Sequence, residues 1–298
     1  MFLNIPIKGG KSIAKKIYVE SSTFHSLSSE LQAKVTIIRN EIEIVTSQNV
    51  MKQNALSKIK RISKNEYVKV ETGEVFKYNT NANKTDNTVS IKKSLKNLRK
   101  LILNNFVEFE SIFITLTYKD EMFDFVQAVQ DYTKFFENLK KHYKHYNLKY
   151  LRIIEPTDKG NWHIHVLLKS AEKVDKFYIS QEKVQSIWKH GSVKVEQIHN
   201  IGGLANYFCT YSNDDKALPE KAKPKHVKKQ ERWKYYPYRA RIFAKSNDIV
   251  YPKTVKAKRG QVDELLKDYK RVSASTLTVK DSEGRVVNKV NYEHYKKR

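Results

Sequence analysis

Two histidines separated by one residue are the first feature of this sequence that could do chemistry. His163 and His165 lie in the apolar run WHIHVLL, residues 162–168. This run predicts a β-strand, in which residues two positions apart point to the same face. Two imidazoles on one face can hold one divalent cation. The competing interpretation is a pair of half-buried histidines with no ligand.

A carboxylate is predicted to complete this site. The run LKYLRIIE, residues 148–155, predicts a second strand that ends in Glu155, and the turn PTDKGN joins it to the histidine strand. The two strands therefore predict an antiparallel hairpin that brings Glu155 beside the imidazoles. Two histidines and one acid leave positions open on a bound cation, so that it can polarise a phosphate. We predict that His163, His165 and Glu155 bind Mg²⁺ or Mn²⁺.

Two tyrosines four residues apart are candidate nucleophiles. Tyr207 and Tyr211 lie in LANYFCTY, within a helix predicted over Gly202–Ser212. This spacing places both phenols on one face of the helix. A phenol can attack phosphorus when a metal activates the phosphodiester. The chain has 18 tyrosines, so an aromatic stripe is the simpler interpretation of the pair alone. The histidine pair upstream favours the catalytic interpretation.

The elements around these residues predict an α+β fold. Strands are expected over Ser111–Tyr118 and Ser192–Gln197, and helices over Phe125–Tyr146 and Gln181–Lys189. Their patterns are those of buried strands and of helices with one apolar stripe. We expect an antiparallel β-sheet with the metal ligands on one face and flanking helices.

The rest of the chain is predicted as additions to this core. Apolar residues at near helical spacing predict a helix in Ser22–Ile44, whereas the β-rich pattern of Glu66–Tyr78 predicts a hairpin. A further helix is predicted over Ser90–Asn105.

Three segments follow from these patterns. Residues 1–105 form a mixed N-terminal region with a linker near 79–88, residues 106–216 form the catalytic core, and residues 217–298 form a basic C-terminal region.

The charge of the chain indicates a polyanionic partner. Its 57 Lys and Arg against 32 Asp and Glu give a formal net charge of +25. Such a charge favours nucleic acid over a small metabolite or an acidic ligand. Phosphates bind Lys and Arg, and single strands also stack on aromatic rings. A solvated surface with a few core aromatics is the alternative for any one residue. The candidate DNA-binding residues are Lys216, Trp233, Tyr238, Arg239, Arg241 and Lys245.

Other classes of protein are disfavoured. Cys209 is the single cysteine, so a disulfide within the chain is excluded. The sequence has no apolar run long enough for a membrane span and no secretory signal, so we expect a cytoplasmic protein without a membrane partner. A complete phosphate-binding P-loop is also missing. Strand separation would then depend on a host helicase.

Three motifs together resemble a known family. SIFITLTY, EPTDKGNWHIHVLL and LANYFCTY resemble, in order and spacing, the motifs of the HUH endonucleases, in particular the rolling-circle replication initiators of plasmids and phages. The resemblance covers about residues 111–212 and implies an HUH nuclease core. Many members carry a lysine three residues after the tyrosine, where this chain has Thr210 and Asp214. Lys216 is the nearby lysine that could substitute.

The resemblance implies a reaction on single-stranded DNA. A tyrosine attacks the scissile phosphate, which leaves a 5′-phosphotyrosine link and a free 3′-hydroxyl for a host polymerase. A later 3′-hydroxyl can reverse the step and rejoin strands. We expect Tyr207 to make the first cut and Tyr211 the second, on single-stranded DNA and on the double-stranded DNA of an origin.

Two alternatives remain at this point. A single-strand DNA transposase of the same superfamily would use the same residues on the ends of a mobile element. A non-enzymatic basic DNA-binding protein would use the histidines and tyrosines only for packing.

Overall fold

The computed structural model divides the chain into two compact units. One unit combines Met1–Lys77 with Pro252–Arg298, and the other is Tyr78–Tyr251. The described residues are 18–49, 59–63, 66–69, 73–77, 88–209, 232–238, 240–281 and 283–298. The linker predicted near residues 79–88 lies almost wholly outside them.

Strands from both ends of the chain build the first unit. They form a six-stranded sheet of order β1-β13-β14-β3-β2-β12, in which every pairing is antiparallel. The bounds are β1 Tyr18–Ser22, β2 Gln32–Ile38, β3 Glu41–Ser47, β12 Lys253–Lys258, β13 Tyr269–Lys280 and β14 Val286–Lys297. A smaller sheet contains β4 Ile59–Arg61, β5 Glu66–Lys69 and β6 Val75–Lys77. The pairing of β5 with β6 confirms the hairpin predicted from residue 66.

The helix predicted in Ser22–Ile44 is wrong, because β2 and most of β3 occupy this segment. The run from Val35 to Ile38 is mostly β-branched, which favours a pleated strand. Arg39 has a positive φ of 33°, which turns the chain between the two strands. Val35 then lies opposite Ile44, and both are buried in the core of this unit. Pairing with β12 and β14 comes from distant sequence, which local periodicity does not report.

The second unit is the predicted antiparallel sheet with flanking helices, so the α+β prediction is confirmed. Its sheet has the order β10-β7-β9-β8-β11. Strand β11 comes from the segment that was predicted as the basic C-terminal region. The bounds are α1 Thr88–Asn105, β7 Ile112–Leu116, α2 Phe125–His142, β8 Lys149–Pro156, β9 Trp162–Lys169, α3 Gln181–Trp188, β10 Val193–Gln197, α4 Ile201–Cys209 and β11 Phe243–Lys245.

The central strand β9 has two different faces. Trp162, Ile164 and Val166 are buried on one face. Trp162 meets the ring of Phe125 at the start of α2, with centroids 5.1 Å apart. Alternation along the strand sends the histidines to the opposite face. The fold therefore separates a packing face from the face that carries the candidate ligands.

A tight turn joins β8 to β9. The Thr157 amide donates to the Asn161 carbonyl at 2.7 Å, and Gly160 adopts a φ of +92°. A side chain at position 160 would also collide with the ring of Tyr235. This turn fixes the register of the two strands and gives the segment around Tyr235 a place to dock.

Among the described residues, none of the helices combines the length and apolar character needed to cross a membrane.

Gly191 offers a test of the packing between α3 and β7. A Cβ at this position would collide with backbone atoms of Thr117 and Lys119, which cannot rotate away. We expect Gly191→Ala to lower the free energy of unfolding by about 1–3 kcal/mol in urea denaturation.

Gly202→Ala in α4 is the matched control. Its Cβ would meet only the Asn200 side chain at 3.7 Å, so stability should stay unchanged or rise slightly through helix propensity. Equal stability of both variants and the wild-type protein would contradict the close approach at Gly191.

Candidate functional site

The pairing of β8 with β9 brings the three predicted ligands together. Glu155 lies directly opposite His163, and Ile153 lies opposite His165. Residues two positions apart share a face, so all three ligand side chains project to the same side of the sheet. One ligand atom from each residue can be chosen so that all three atoms lie within 4.8 Å of one another. The structure therefore places the predicted triad in one cluster.

This cluster lies in a sheltered position. Glu155 is 5% exposed and His165 is 6% exposed, whereas His163 is half-buried. Nε2 of His165 lies 3.7 Å from Oε2 of Glu155, and the two imidazole rings are perpendicular with centroids 4.8 Å apart. The half-buried His163 leaves the cluster accessible from one side.

Thr115 on β7 orients one of the imidazoles. It lies opposite His165, and its Oγ1 is 3.1 Å from Nδ1 of that ring. A histidine that binds a metal through Nε2 needs its proton on Nδ1, and a hydroxyl can accept that proton in a hydrogen bond. The contact therefore suits His165 as an Nε2 ligand.

Two phenylalanines fix the position of the same ring. Phe113 on β7 stacks on His165 with ring centroids 5.4 Å apart. Phe208 on α4 contacts it edge-on at 5.2 Å. Phe208 is buried, so the aromatic contact holds α4 against the metal-ligand face. This packing leaves the imidazole little freedom to turn.

Tyr207 lies beside the cluster on α4. The helix begins after Asn200, whose side chain accepts a hydrogen bond from the Gly203 amide at 2.7 Å. Tyr207 is 52% exposed, and its ring centroid lies 6.5 Å from that of His165. Partial burial, and secondarily the charge of Glu155, raise the pKa of the Tyr207 phenol, which is then protonated at neutral pH. Structure and sequence agree on this neighbour.

An arginine that sequence reasoning did not select also lies at the cluster. Arg232 directs Nη1 toward Oε1 of Glu155 at 3.6 Å and donates from Nε to Oδ1 of Asp158 at 2.7 Å. Its charge lowers the pKa of Tyr207, against the two effects that raise it. Arg232 stands far from the motifs in sequence, and no spacing rule would have identified it. Thr115 could have been found, because strand alternation places it on the ligand face.

Three predicted site residues lie outside the described part of the chain. These are Tyr211, Lys216 and Arg239. The helix predicted over Gly202–Ser212 is confirmed as far as Cys209. The roles of the three residues stay predictions.

The other predicted DNA-binding residues have different environments. Trp233 is buried and stacks on Tyr236 at 5.2 Å, so the structure shows it as a packing residue. Tyr238 is half-buried and Arg241 is exposed. Lys245 lies on β11, with Nζ 5.9 Å from the ring centroid of Tyr251. Of the four, Arg241 offers the most accessible charge, and their DNA contacts stay predictions.

The donor set of the cluster fits a divalent cation. Two imidazole nitrogens and a carboxylate oxygen are common ligands of first-row divalent ions, at bond lengths of about 2.0–2.2 Å. The opposed positions of Nε2 and Oε2 can be brought to one ion by small side-chain movements. The buried Glu/His/His group could therefore hold a metal ion.

Thr115→Val tests the orienting hydrogen bond. The change keeps the shape but removes the hydroxyl, so we expect Mn²⁺ affinity to fall about 10-fold or more in calorimetric titration. Thr117→Val is the matched control, because that hydroxyl contacts Ser192 instead of a ligand. Equal losses in both variants, or none in Thr115→Val, would contradict the assignment.

The comparison with protein families gives one match. Residues 111–216 match the model of a family of replication-associated proteins of the ORF2 type. No curated protein and no solved structure matches the chain. The matched segment includes β7, the β8–β9 hairpin and α4, which carry Thr115, the Glu/His/His cluster and Tyr207. The match therefore supports a replication-associated protein and coincides with the candidate site.

Proposed function

We propose that this protein initiates rolling-circle DNA replication by nicking and rejoining single-stranded DNA. It would be a metal-dependent endonuclease and strand transferase of the HUH type that uses a tyrosine nucleophile. One observation carries the proposal: a sheltered Glu155, His163 and His165 cluster lies beside the half-exposed phenol of Tyr207. A site that only packs the core does not need an accessible phenol next to three potential ligands.

The residues divide the reaction between them. Tyr207 supplies the nucleophile, and its ring is held at the ligand face because its neighbour Phe208 is buried against Phe113 and His165. Attack by Oη forms the bond to phosphorus as the bond from phosphorus to the 3′ oxygen breaks. The phenolic proton passes to water, and the leaving oxygen takes a proton from water. The bond energy kept in the 5′-phosphotyrosine allows a 3′-hydroxyl to reverse the step.

A divalent cation on Glu155, His163 and His165 would supply Lewis-acid polarisation of the scissile phosphate. The two imidazoles favour a transition ion such as Mn²⁺ over Mg²⁺, which prefers oxygen ligands. Thr115 holds the His165 ring in the tautomer that such binding requires.

The family match favours replication over transposition. Its description names a replication-associated protein, and the matched residues contain the three candidate ligands and both tyrosines. A non-enzymatic DNA-binding role is less well supported, because DNA binding does not require a buried carboxylate between imidazoles and an arginine.

Phosphate contacts are expected to dominate the affinity for DNA. The formal net charge of +25 provides many potential contacts, and each neutralised phosphate releases a counterion. We expect the affinity for a single-stranded oligonucleotide to fall about tenfold or more between roughly 50 and 200 mM salt, measured by fluorescence anisotropy. A flat response would contradict a polyanion-binding surface.

Tyr207→Phe tests the nucleophile. The change removes only the hydroxyl, so the fold should persist. The substrate is a pool of random single-stranded oligonucleotides with a 3′ fluorescent label, incubated with Mn²⁺. The label should migrate with the wild-type protein on a denaturing gel, and Tyr207→Phe should abolish this adduct.

Two further tyrosine variants serve as controls. Tyr178→Phe, at another exposed tyrosine, should keep the adduct. Tyr211→Phe should keep the first adduct but fail to release a closed circle. Undiminished labelling of Tyr207→Phe would contradict the proposed nucleophile, and no labelling of the wild-type protein would contradict the proposed function.

A further inference from the structure

Arg232 is placed at the cluster by a segment that lies beyond the matched family region. Its guanidinium lies between two carboxylates, with Nη1 3.6 Å from Glu155 and Nε 2.7 Å from Asp158. Asp158 belongs to the turn that joins β8 to β9, and Glu155 belongs to β8. One side chain therefore bridges the candidate ligand and the hairpin turn.

The residues that follow Arg232 hold it in this place. Residues 232–235 form a short 3₁₀ helix that includes the buried Trp233. Tyr235 donates its hydroxyl to the Asp158 carbonyl at 2.9 Å, and its ring packs where Gly160 has no side chain. Tyr236 is buried and donates to the Ile154 carbonyl at 2.6 Å. These contacts dock the segment on the β8–β9 hairpin, so the guanidinium is fixed before any ligand binds.

The guanidinium has donor capacity beyond these two carboxylates. Arginine carries five N–H donors in a planar fork and stays charged at all accessible pH values. Asp158 and Glu155 engage Nε and Nη1, and Nη2 carries two further donors. The side chain is 21% exposed. A fork that is fixed, charged and reachable beside a candidate nucleophile matches the oxygens of a phosphodiester.

Its partnership with Glu155 is also loose for an ion pair. The distance of 3.6 Å exceeds that of a charge-assisted hydrogen bond, about 2.7–2.9 Å. The tight contact is the one with the exposed Asp158. Asp158 therefore acts as the anchor, and the end of the guanidinium near Glu155 can turn toward a ligand at the cluster.

We propose that Arg232 is a catalytic residue of this site, which binds a non-bridging oxygen of the scissile phosphate and stabilises the charge of the transition state. The inference rests on the proposed nicking function. Arg232 keeps its proton throughout, while the bond from Tyr207 to phosphorus forms and the bond to the 3′ oxygen breaks. A fixed donor that faces developing charge stabilises a transition state without reorganisation.

The test compares Arg232→Gln and Arg232→Lys with Lys234→Gln. Lys234 lies in the same 3₁₀ helix and is exposed, so its change removes the same charge from the same segment. Three quantities are measured: the single-turnover rate constant of adduct formation at saturating DNA and Mn²⁺, the oligonucleotide Kd, and the Mn²⁺ affinity without DNA.

Arg232→Gln should lower the rate constant about 100-fold or more, while Mn²⁺ affinity and oligonucleotide Kd change less than about threefold. Arg232→Lys should recover part of the rate, because it restores the charge but not the planar fork. Lys234→Gln should react at nearly the wild-type rate.

Several results would overturn the inference. A wild-type rate in Arg232→Gln would do so. So would weakened Mn²⁺ binding with a rate that recovers at higher Mn²⁺, since Arg232 would then only position Glu155. If Arg232→Gln does not fold, a wild-type rate in Arg232→Lys would overturn it. Absence of the adduct in the wild-type protein would refute the proposed function, and with it the role of Arg232.

Discussion

The antiparallel register of β8 and β9 is the constraint on which the candidate site depends. It sets Glu155 opposite His163 and, two residues away, Ile153 opposite His165. A slip of one residue would send every side chain of a strand to the other face of the sheet. Buried Trp162, Ile164 and Val166 oppose such a slip, because they would then occupy the ligand face. The same apolar packing that stabilises the sheet therefore aligns the ligands.

Burial of a carboxylate gives this site its electrostatic character. Removing Glu155 from water is unfavourable unless positive or donor groups face its oxygens. His165 faces one oxygen and Arg232 faces the other. A cation bound to the three ligands would take over the neutralisation of Glu155 and release the guanidinium toward an anionic substrate. Metal binding and substrate binding would then support each other.

The sequence predicted the local parts of the second unit well and the long-range parts poorly. The alternation around His163, the turn at Gly160 and the helix of Tyr207 are each encoded within a few residues, and the structure confirms them. Arg232 reaches the site through tertiary docking, which no local pattern specifies. The strands in Ser22–Ile44 were mistaken for a helix for a related reason: their partners β12 and β14 come from the other end of the chain. Pairing over such separations is decided by packing.

Mass spectrometry of the protein–DNA adduct tests the central claim most directly. After reaction with single-stranded DNA and Mn²⁺, nuclease and protease digestion would leave a peptide that carries a nucleotide. Fragmentation of this peptide locates the phosphate. We predict a nucleotide linked through its 5′-phosphate to the oxygen of Tyr207. A nucleotide on any residue outside α4 and the segment that follows it to Tyr211, or a cleaved DNA with no peptide attached, would contradict the proposed chemistry.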